Sequence, residues 1–189
     1  MTSDAELIAR SLAGDADAFV EMIRRHEAAV GAYLARRAGR DLAEDLLGEV
    51  WVAALSSRGT YDHSFPDAGP WLFGVAHNTL RRHWRSRPVG EPAADLAERA
   101  PGWDPWPLVD SQVDTERVLR AALARLRPEE RELLTLVTWE DLTVADAGRA
   151  LGIPAGTARR HLHQARTALR SMPEVAALLK EHNTMKEAY

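Results

Sequence analysis

Residues 142–169 read LTVADAGRALGIPAGTARRHLHQARTAL, and the way this stretch folds decides the architecture. Thr143 can cap a short helix through its hydroxyl, with Asp146 three residues on as a shorter stand-in for the Glu or Gln of a capping box. Gly152 supplies a left-handed residue to close that helix at about Leu151, and Ile153-Pro154 leads into a second helix. A short helix, a tight glycine turn and a second helix form a helix-turn-helix pattern. On the second helix the 3.6-residue period gathers Ala158, Leu162, Ala165 and Leu169 on one stripe and leaves Arg159, Arg160, His163 and Gln164 on the opposite face. Arg can donate two hydrogen bonds to guanine and Gln can pair with adenine in a major groove. Thr157, His161 and Arg166 are better placed for phosphates. A solvated basic face on a helical bundle is the plainer reading of the same residues.

Upstream of this motif the apolar residues also recur with helical period, and no stretch alternates as a strand would, so the chain is expected to be all-α. Phe19, Ile23, Val30, Tyr33 and Leu34 line a helix from about Asp15 to Arg37. Leu42, Leu46, Leu47, Val50 and Ala54 line another that starts after Gly39. A third begins near Pro70, where a first-turn proline costs no backbone hydrogen bond, and carries Leu72, Val75, Ala76 and Leu80. After a break, Val118, Leu119, Ala122, Leu123 and Leu126 share a face, Pro128 ends or kinks that helix, and Leu133, Leu134, Leu136 and Val137 continue in the next. The tail after Pro173 can form one short helix with Val175, Leu178 and Leu179 inward.

The break is compositional. Arg87 to Val113 holds five prolines and two glycines without a sustained apolar stripe, and reads as an acidic linker. From Pro88 to Glu116 there are seven acids against one base, a net of −6, so the rest of the chain carries +2 of its total −4. Local positive faces therefore coexist with an acidic sum. Trp103 and Trp106 are unusual for a purely solvated segment, and docking of part of the linker on a surface stands beside the solvated reading.

Composition excludes several functions. With 46% hydrophobic and 28% charged residues the chain is neither disordered nor membrane-embedded by composition, and a soluble protein is expected. The absence of cysteine removes disulfides, Cys-type zinc sites and thiol catalysis, and fits a reducing cytoplasm. MTSDAELIARSLAGD has no apolar core suited to a signal peptide or anchor, and no later stretch suits insertion in a membrane. There is no P-loop, no HExxH and no compact acid set for metal, while His161 and His163 point to different sides of a helix. No enzyme, no cofactor and no metal site is expected.

Two further clusters stand out. His77, Asn78, Arg81, Arg82 and Arg85 share the polar side at the end of the helix that starts near Pro70, close to Tyr61, Phe65, Trp71, Phe73 and Trp84. Bases of a single strand stack on such rings, although cations at a helix C-terminus also suit its dipole, and Trp71 and Phe73 suit a core. Asp41, Glu44, Asp45 and Glu49 form an acidic edge in which Asp45 and Glu49 lie on one helical face, solvated or docked on a basic partner.

These residues in this order resemble the sigma-70 family, in particular its small extracytoplasmic-function members, across nearly the whole chain. SLAGDADAF resembles the opening helix motif, AEDLLGEVWVAAL the core-binding helix, YDHSFPDAGPWLFGVAHNTLRRHWR the minus-10 reading region, and residues 142–170 the minus-35 helix-turn-helix. The resemblance implies two helical domains, sigma region 2 over 1–87 and sigma region 4 over 115–172, with an acidic linker at 88–114 and a C-terminal tail at 173–189. It implies a cytoplasmic protein that binds RNA polymerase core through the β′ coiled coil and the β flap, then recognises promoter DNA. Asp45, Leu46 and Glu49 would meet the β′ coiled coil. Asn78 and the loop from Tyr61 through Phe65 to Gly69 would capture an unstacked base, with Arg81, Arg82 and Arg85 on nearby phosphates. Thr157, Arg159, Arg160, His163, Gln164 and Arg166 would meet the minus-35 duplex. Members of this type are often held by an anti-sigma factor, which no residue here identifies. Gly48 departs from the polar residue usual after the core-binding Asp, Ala147-Gly148 replaces a bulkier pair, and His163 and Gln164 imply an atypical promoter. The rival reading is a DNA-binding regulator that uses the same helix-turn-helix without polymerase core.

Overall fold

A computed structural model describes residues 2–86 and 113–178, and among these residues every regular element is helical. In chain order the helices are α1 (Asp4–Leu12), α2 (Ala16–Ala38), α3 (Arg40–Ser57), α4 (Gly69–Arg85), α5 (Val113–Ala124), α6 (Pro128–Trp139), α7 (Val144–Leu151) and α8 (Ala155–Ser171), with a single 3-10 turn at Arg58–Thr60. The linker tryptophans Trp103 and Trp106, and Leu179 of the tail, lie outside the described residues.

Local chemistry sets most of these ends. Ser3 caps α1 by accepting from the Glu6 amide at 3.3 Å, while the Glu6 carboxylate accepts from the Ser3 amide at 2.8 Å. Asp15 caps α2 through the Ala18 amide. Gly39, at φ +81°, turns the chain from α2 into α3 within one residue, a backbone region that side chains avoid. Pro70 lies in the first turn of α4, as its missing N–H favours. Pro128 plays the same part for α6, so it begins a helix. The helix before it ends earlier than expected, at Ala124. Buried Arg131 explains that earlier end: its guanidinium donates to the carbonyls of Leu123, Ala124 and Leu126 at 2.8–3.0 Å, satisfying oxygens that a longer helix would have used.

The expected stripes form the core. Tyr33, Leu34, Leu46, Val50, Leu72 and Ala76 are fully buried in the first block, and Leu123, Leu133, Leu136, Ala158 and Ala165 in the second. Phe73 is also buried, its ring 5.4 Å from that of Tyr33, while Trp71 is half-buried against Tyr61. The two blocks share one continuous apolar cluster, because α7 packs across α4. At the end of α8, Val175 and Met172 pack with Ala122, which fastens the start of the tail to α5.

Asp4 ties α1 to the loop before α4. Its carboxylate accepts from His26 Nε2 at 2.7 Å, Arg25 at 3.1 Å and the Ala68 amide at 3.0 Å, and its own amide donates to the Pro66 carbonyl. Burial pushes the Asp4 carboxyl up, but the hydrogen bonds from His26 and the Ala68 amide outweigh it and hold the pKa at about 2. The group therefore stabilises the fold above its ordinary value of 3.8, and the contribution fades as the pH falls through about 2. It is worth about 2 kcal/mol. We expect Asp4→Asn to lower stability by about that amount at pH 6. The gap to the unaltered chain should close between pH 4 and pH 2, as read by urea unfolding across that range.

Candidate nucleic-acid interface

Helix α7 and the turn after it hold α8 in place. The Thr143 hydroxyl accepts from the Asp146 amide at 3.1 Å and donates to its carboxylate at 2.6 Å. Gly152 sits at φ +68°, and the Ile153 amide returns to the Gly148 carbonyl at 2.7 Å. Gly148 is what lets this turn close: a Cβ there would stand 2.9 Å from the Ile153 carbonyl oxygen and 3.1 Å from the Ala158 side chain. The small Ala147-Gly148 pair thus gives close packing, with both residues buried, rather than the looseness its size suggests.

On α8, Ala158, Leu162 and Ala165 face inward, while Arg159, Arg160, His163, Gln164 and Arg166 are exposed and Thr157 is half-buried. Gln164 accepts from Arg127 at 2.8 Å, a surface contact that a groove edge can displace. The outward face is one strip of cationic and amide groups, the kinds of side chain that hydrogen-bond base edges in a major groove.

The second cluster is divided. Asn78, Arg81, Arg82 and Arg85 are exposed along α4. Tyr61 is only 6% exposed; its hydroxyl donates to the Phe65 carbonyl at 2.5 Å, and burial pushes its pKa up to about 12. Phe65 is half-buried beneath the Arg149 guanidinium of α7, which lies 3.4 Å from the ring centroid. In this arrangement Tyr61 is taken up by packing, and one face of the Phe65 ring is covered by Arg149.

On the acidic edge, Asp45 and Glu49 are exposed, and Glu49 pairs with Arg82 at 3.2 Å. Residues expected to meet different partners, polymerase and DNA, here meet each other. Leu46 is fully buried, so it can only position that edge. Exposed Val52 and Leu55 continue the same helix beyond Gly48.

Sequence reasoning missed a polar cluster between α2 and α6. The Arg37 guanidinium, 9% exposed, donates to Glu132 at 2.9 Å and to the Thr135 hydroxyl at 2.8 Å, and stacks over the Tyr33 ring. The Tyr33 hydroxyl donates to the same Glu132 at 2.8 Å. Arg36 donates to both oxygens of Glu140 at 2.5 Å. Burial acts to raise the Glu132 carboxyl, but Arg37, the His77 imidazole 3.7 Å away and the hydrogen bond from Tyr33 hold it well below the usual carboxylate range. No spacing rule pairs residues about a hundred positions apart. The only signal in the chain was a pair of arginines, Arg36 and Arg37, in the last turn of an amphipathic helix.

Asp4, His26 and Asp67 are the one group among the described residues whose ligand atoms are close enough to share a metal. The Asp4 oxygens are already committed to His26, Arg25 and a backbone amide, which makes the group a structural fastening. Among the described residues no helix is long and apolar enough to cross a membrane.

Comparison with known proteins follows the same division. The family description "Sigma-70 region 2" matches residues 22–88, and "Sigma-70, region 4" matches residues 116–169. The chain is 32% identical over 182 residues to the ECF RNA polymerase sigma factor BldN of Streptomyces coelicolor, covering 90% of this chain and 66% of that protein. It is 32% identical over 171 residues to the ECF RNA polymerase sigma factor SigM of Mycobacterium tuberculosis, covering 88% of this chain and 83% of that one. The RNA polymerase sigma factor CarQ of Myxococcus xanthus is 32% identical over 166 residues, with 84% and 91% covered. Among solved structures the fold resembles that of CnrH in complex with the cytosolic domain of CnrY, with a TM-score of 0.60, 21% identity, and 94% and 97% of the two chains covered. It also resembles the sigma factor RpoE in complex with the anti-sigma factor NepR from Bartonella quintana, with a TM-score of 0.55, 20% identity, and 80% and 94% covered.

The Gly148 contact gives a test of the turn. Gly148→Ala gains helix propensity but forces the Ile153 carbonyl and α8 apart, and we expect a net loss of about 1–2 kcal/mol in stability. Thermal unfolding measures it, and a melting temperature at or above that of the unaltered chain contradicts the packing described.

Proposed function

We propose, because the chain belongs to the extracytoplasmic-function group of the sigma-70 family, that it joins RNA polymerase core and directs it to promoters through separate minus-10 and minus-35 contacts. The observation that carries the reading is the coexistence of two family matches, region 2 and region 4, on one chain with an exposed cationic face in each. A regulator acting without polymerase has no use for the first block. Family members are sigma factors, which are not enzymes, and this chain is read as carrying out no catalytic step of its own and as needing no cofactor or metal. It works where the polymerase works, in the cytoplasm.

Residues 1–87 are assigned to core binding and the minus-10 element, 88–114 to the linker, 115–172 to the minus-35 element, and 173–189 to the tail. Exposed Asp45 and Glu49 supply charge for the β′ coiled coil, with buried Leu46 holding them in place, and the second block meets the β flap. Asn78 takes the unstacked base together with the loop that carries Tyr61 and Phe65, and Arg81, Arg82 and Arg85 take phosphates. On the duplex, Arg159, Arg160, His163 and Gln164 read base edges while Thr157 and Arg166 fix the backbone. An anti-sigma factor is the class of inhibitor expected, as for the relatives whose solved complexes contain one.

Run-off transcription with purified core polymerase on genomic fragments tests this. Discrete transcripts that need both components are expected, and DNA binding without transcripts or core association would overturn the reading. Asp45→Arg should abolish association with core while leaving duplex binding intact. Arg159→Ala with Arg160→Ala should do the reverse, cutting transcription at least tenfold, since each base contact is worth about 1–3 kcal/mol.

A further inference from the structure

Gln164 does not meet solvent as a free amide. Its Oε1 accepts from Arg127 Nη2 at 2.8 Å, which links the outward face of α8 to the residue that opens α6. A guanidinium carries donors only, so the amide atom facing it has to be the oxygen, and the Nε2 group is turned away. Arg127 is itself held at two points. The same Nη2 donates to Glu130 Oε1, and the Arg127 amide donates to Glu130 Oε2 at 3.2 Å. Glu130 is buried, so this anchor is set by the interior of the second block. Arg127 also precedes Pro128, and its φ of −60° and ψ of 147° are extended values that a following proline favours. The guanidinium is thus fixed by the chain and by a buried carboxylate, and it is Gln164 that conforms.

This orientation changes what Gln164 can read. A glutamine that pairs with adenine uses both ends of its amide: the oxygen accepts from N6 and the nitrogen donates to N7. Here the oxygen already accepts from a cation. An adenine amino group brought to it would stand beside the guanidinium charge, and has to displace Arg127 or share one oxygen with it. Guanine needs neither. Its groove edge, N7 and O6, consists of acceptors, whereas Gln164 Nε2 and the Nε and Nη1 groups of Arg127 are donors. The Arg127 side chain is 59% exposed, so those groups are open to a duplex arriving at α8. Thymine, with one acceptor beside a methyl group, stands between the two.

We propose that Arg127 is a positioning residue that sets base specificity: by holding the Gln164 oxygen toward α6, it turns the pair into a donor-only edge that selects guanine over adenine at the minus-35 base pair Gln164 meets. The inference deepens the reading of the α8 face given above and rests on it. Nothing within α8 encodes this preference, since a glutamine on a reading helix pairs by itself with adenine. The contact between the two residues lies at the surface and can be displaced. Displacement is what an adenine has to bring about and a guanine does not.

A pool of duplexes with a randomised minus-35 element tests this, selected in parallel by binding to the full chain and by transcription with core polymerase added. Gln164→Ala marks the position that Gln164 reads by flattening the preference there. At that position the unaltered chain should favour guanine over adenine at least about fivefold, the low end of what one good base contact discriminates. Arg127→Ala should lower that ratio at least about fivefold while the other positions keep their preferences. Arg127→Lys, which restores a charged donor, should recover part of it. Arg127→Met keeps the apolar stem and repeats the test where the alanine variant fails to fold. A ratio unmoved in both neutral variants overturns the proposal, and so does a uniform loss of affinity across all positions, which marks a phosphate contact. Adenine favoured by the unaltered chain, or no position responding to Gln164→Ala, overturns it as well. Guanine preference in the binding arm with no transcripts in the other would sink the proposed function and leave the role of Arg127 standing.

Discussion

Glu132 and Arg37 cannot be understood apart. Each is largely withdrawn from water, and each would be a costly buried charge without the other, so where one goes the other must follow. Arg37 closes α2 and Glu132 sits in the second turn of α6, and their pairing fixes how the second block lies on the first. Once it is made, Tyr33 and Thr135 find partners, Arg36 reaches Glu140, and α7 descends onto α4 where only a glycine leaves room.

The same pairing explains why the two basic clusters differ in their surroundings. The α8 face looks outward whether or not the blocks are joined, because the stripe that buries it is internal to α6, α7 and α8. The loop before α4 is built against the junction, where Arg149 lies over Phe65. Asp4 holds that loop from the other side, tying Ala68 and Pro66 to α1.

Much of this was legible in the chain of residues. Ala158, Leu162 and Ala165 fell on the buried side of α8 as their spacing required, and Thr143 and Gly152 marked the ends of α7 by side-chain and backbone chemistry that acts within four residues. Pro70 marked the start of α4 for the same reason. The end of α5 was not legible, because it depends on Arg131, whose guanidinium takes carbonyls five to eight residues back only after α6 has folded beside it. Leu46 and Tyr61 carried the right residue types for contact surfaces, yet the fold spends both on its interior.

The sequence by itself determined the helices, their buried faces, the helix-turn-helix and the division into two blocks, since periodicity, caps and proline act locally and survive in any tertiary setting. Only the tertiary structure decided how the blocks meet. That choice turns on pairs such as Tyr33 and Glu132, 99 residues apart, and on the space a missing Cβ leaves at Gly74. No local rule encodes either, because the free energy of a buried charge or a close helix approach is set by what arrives from elsewhere in the chain.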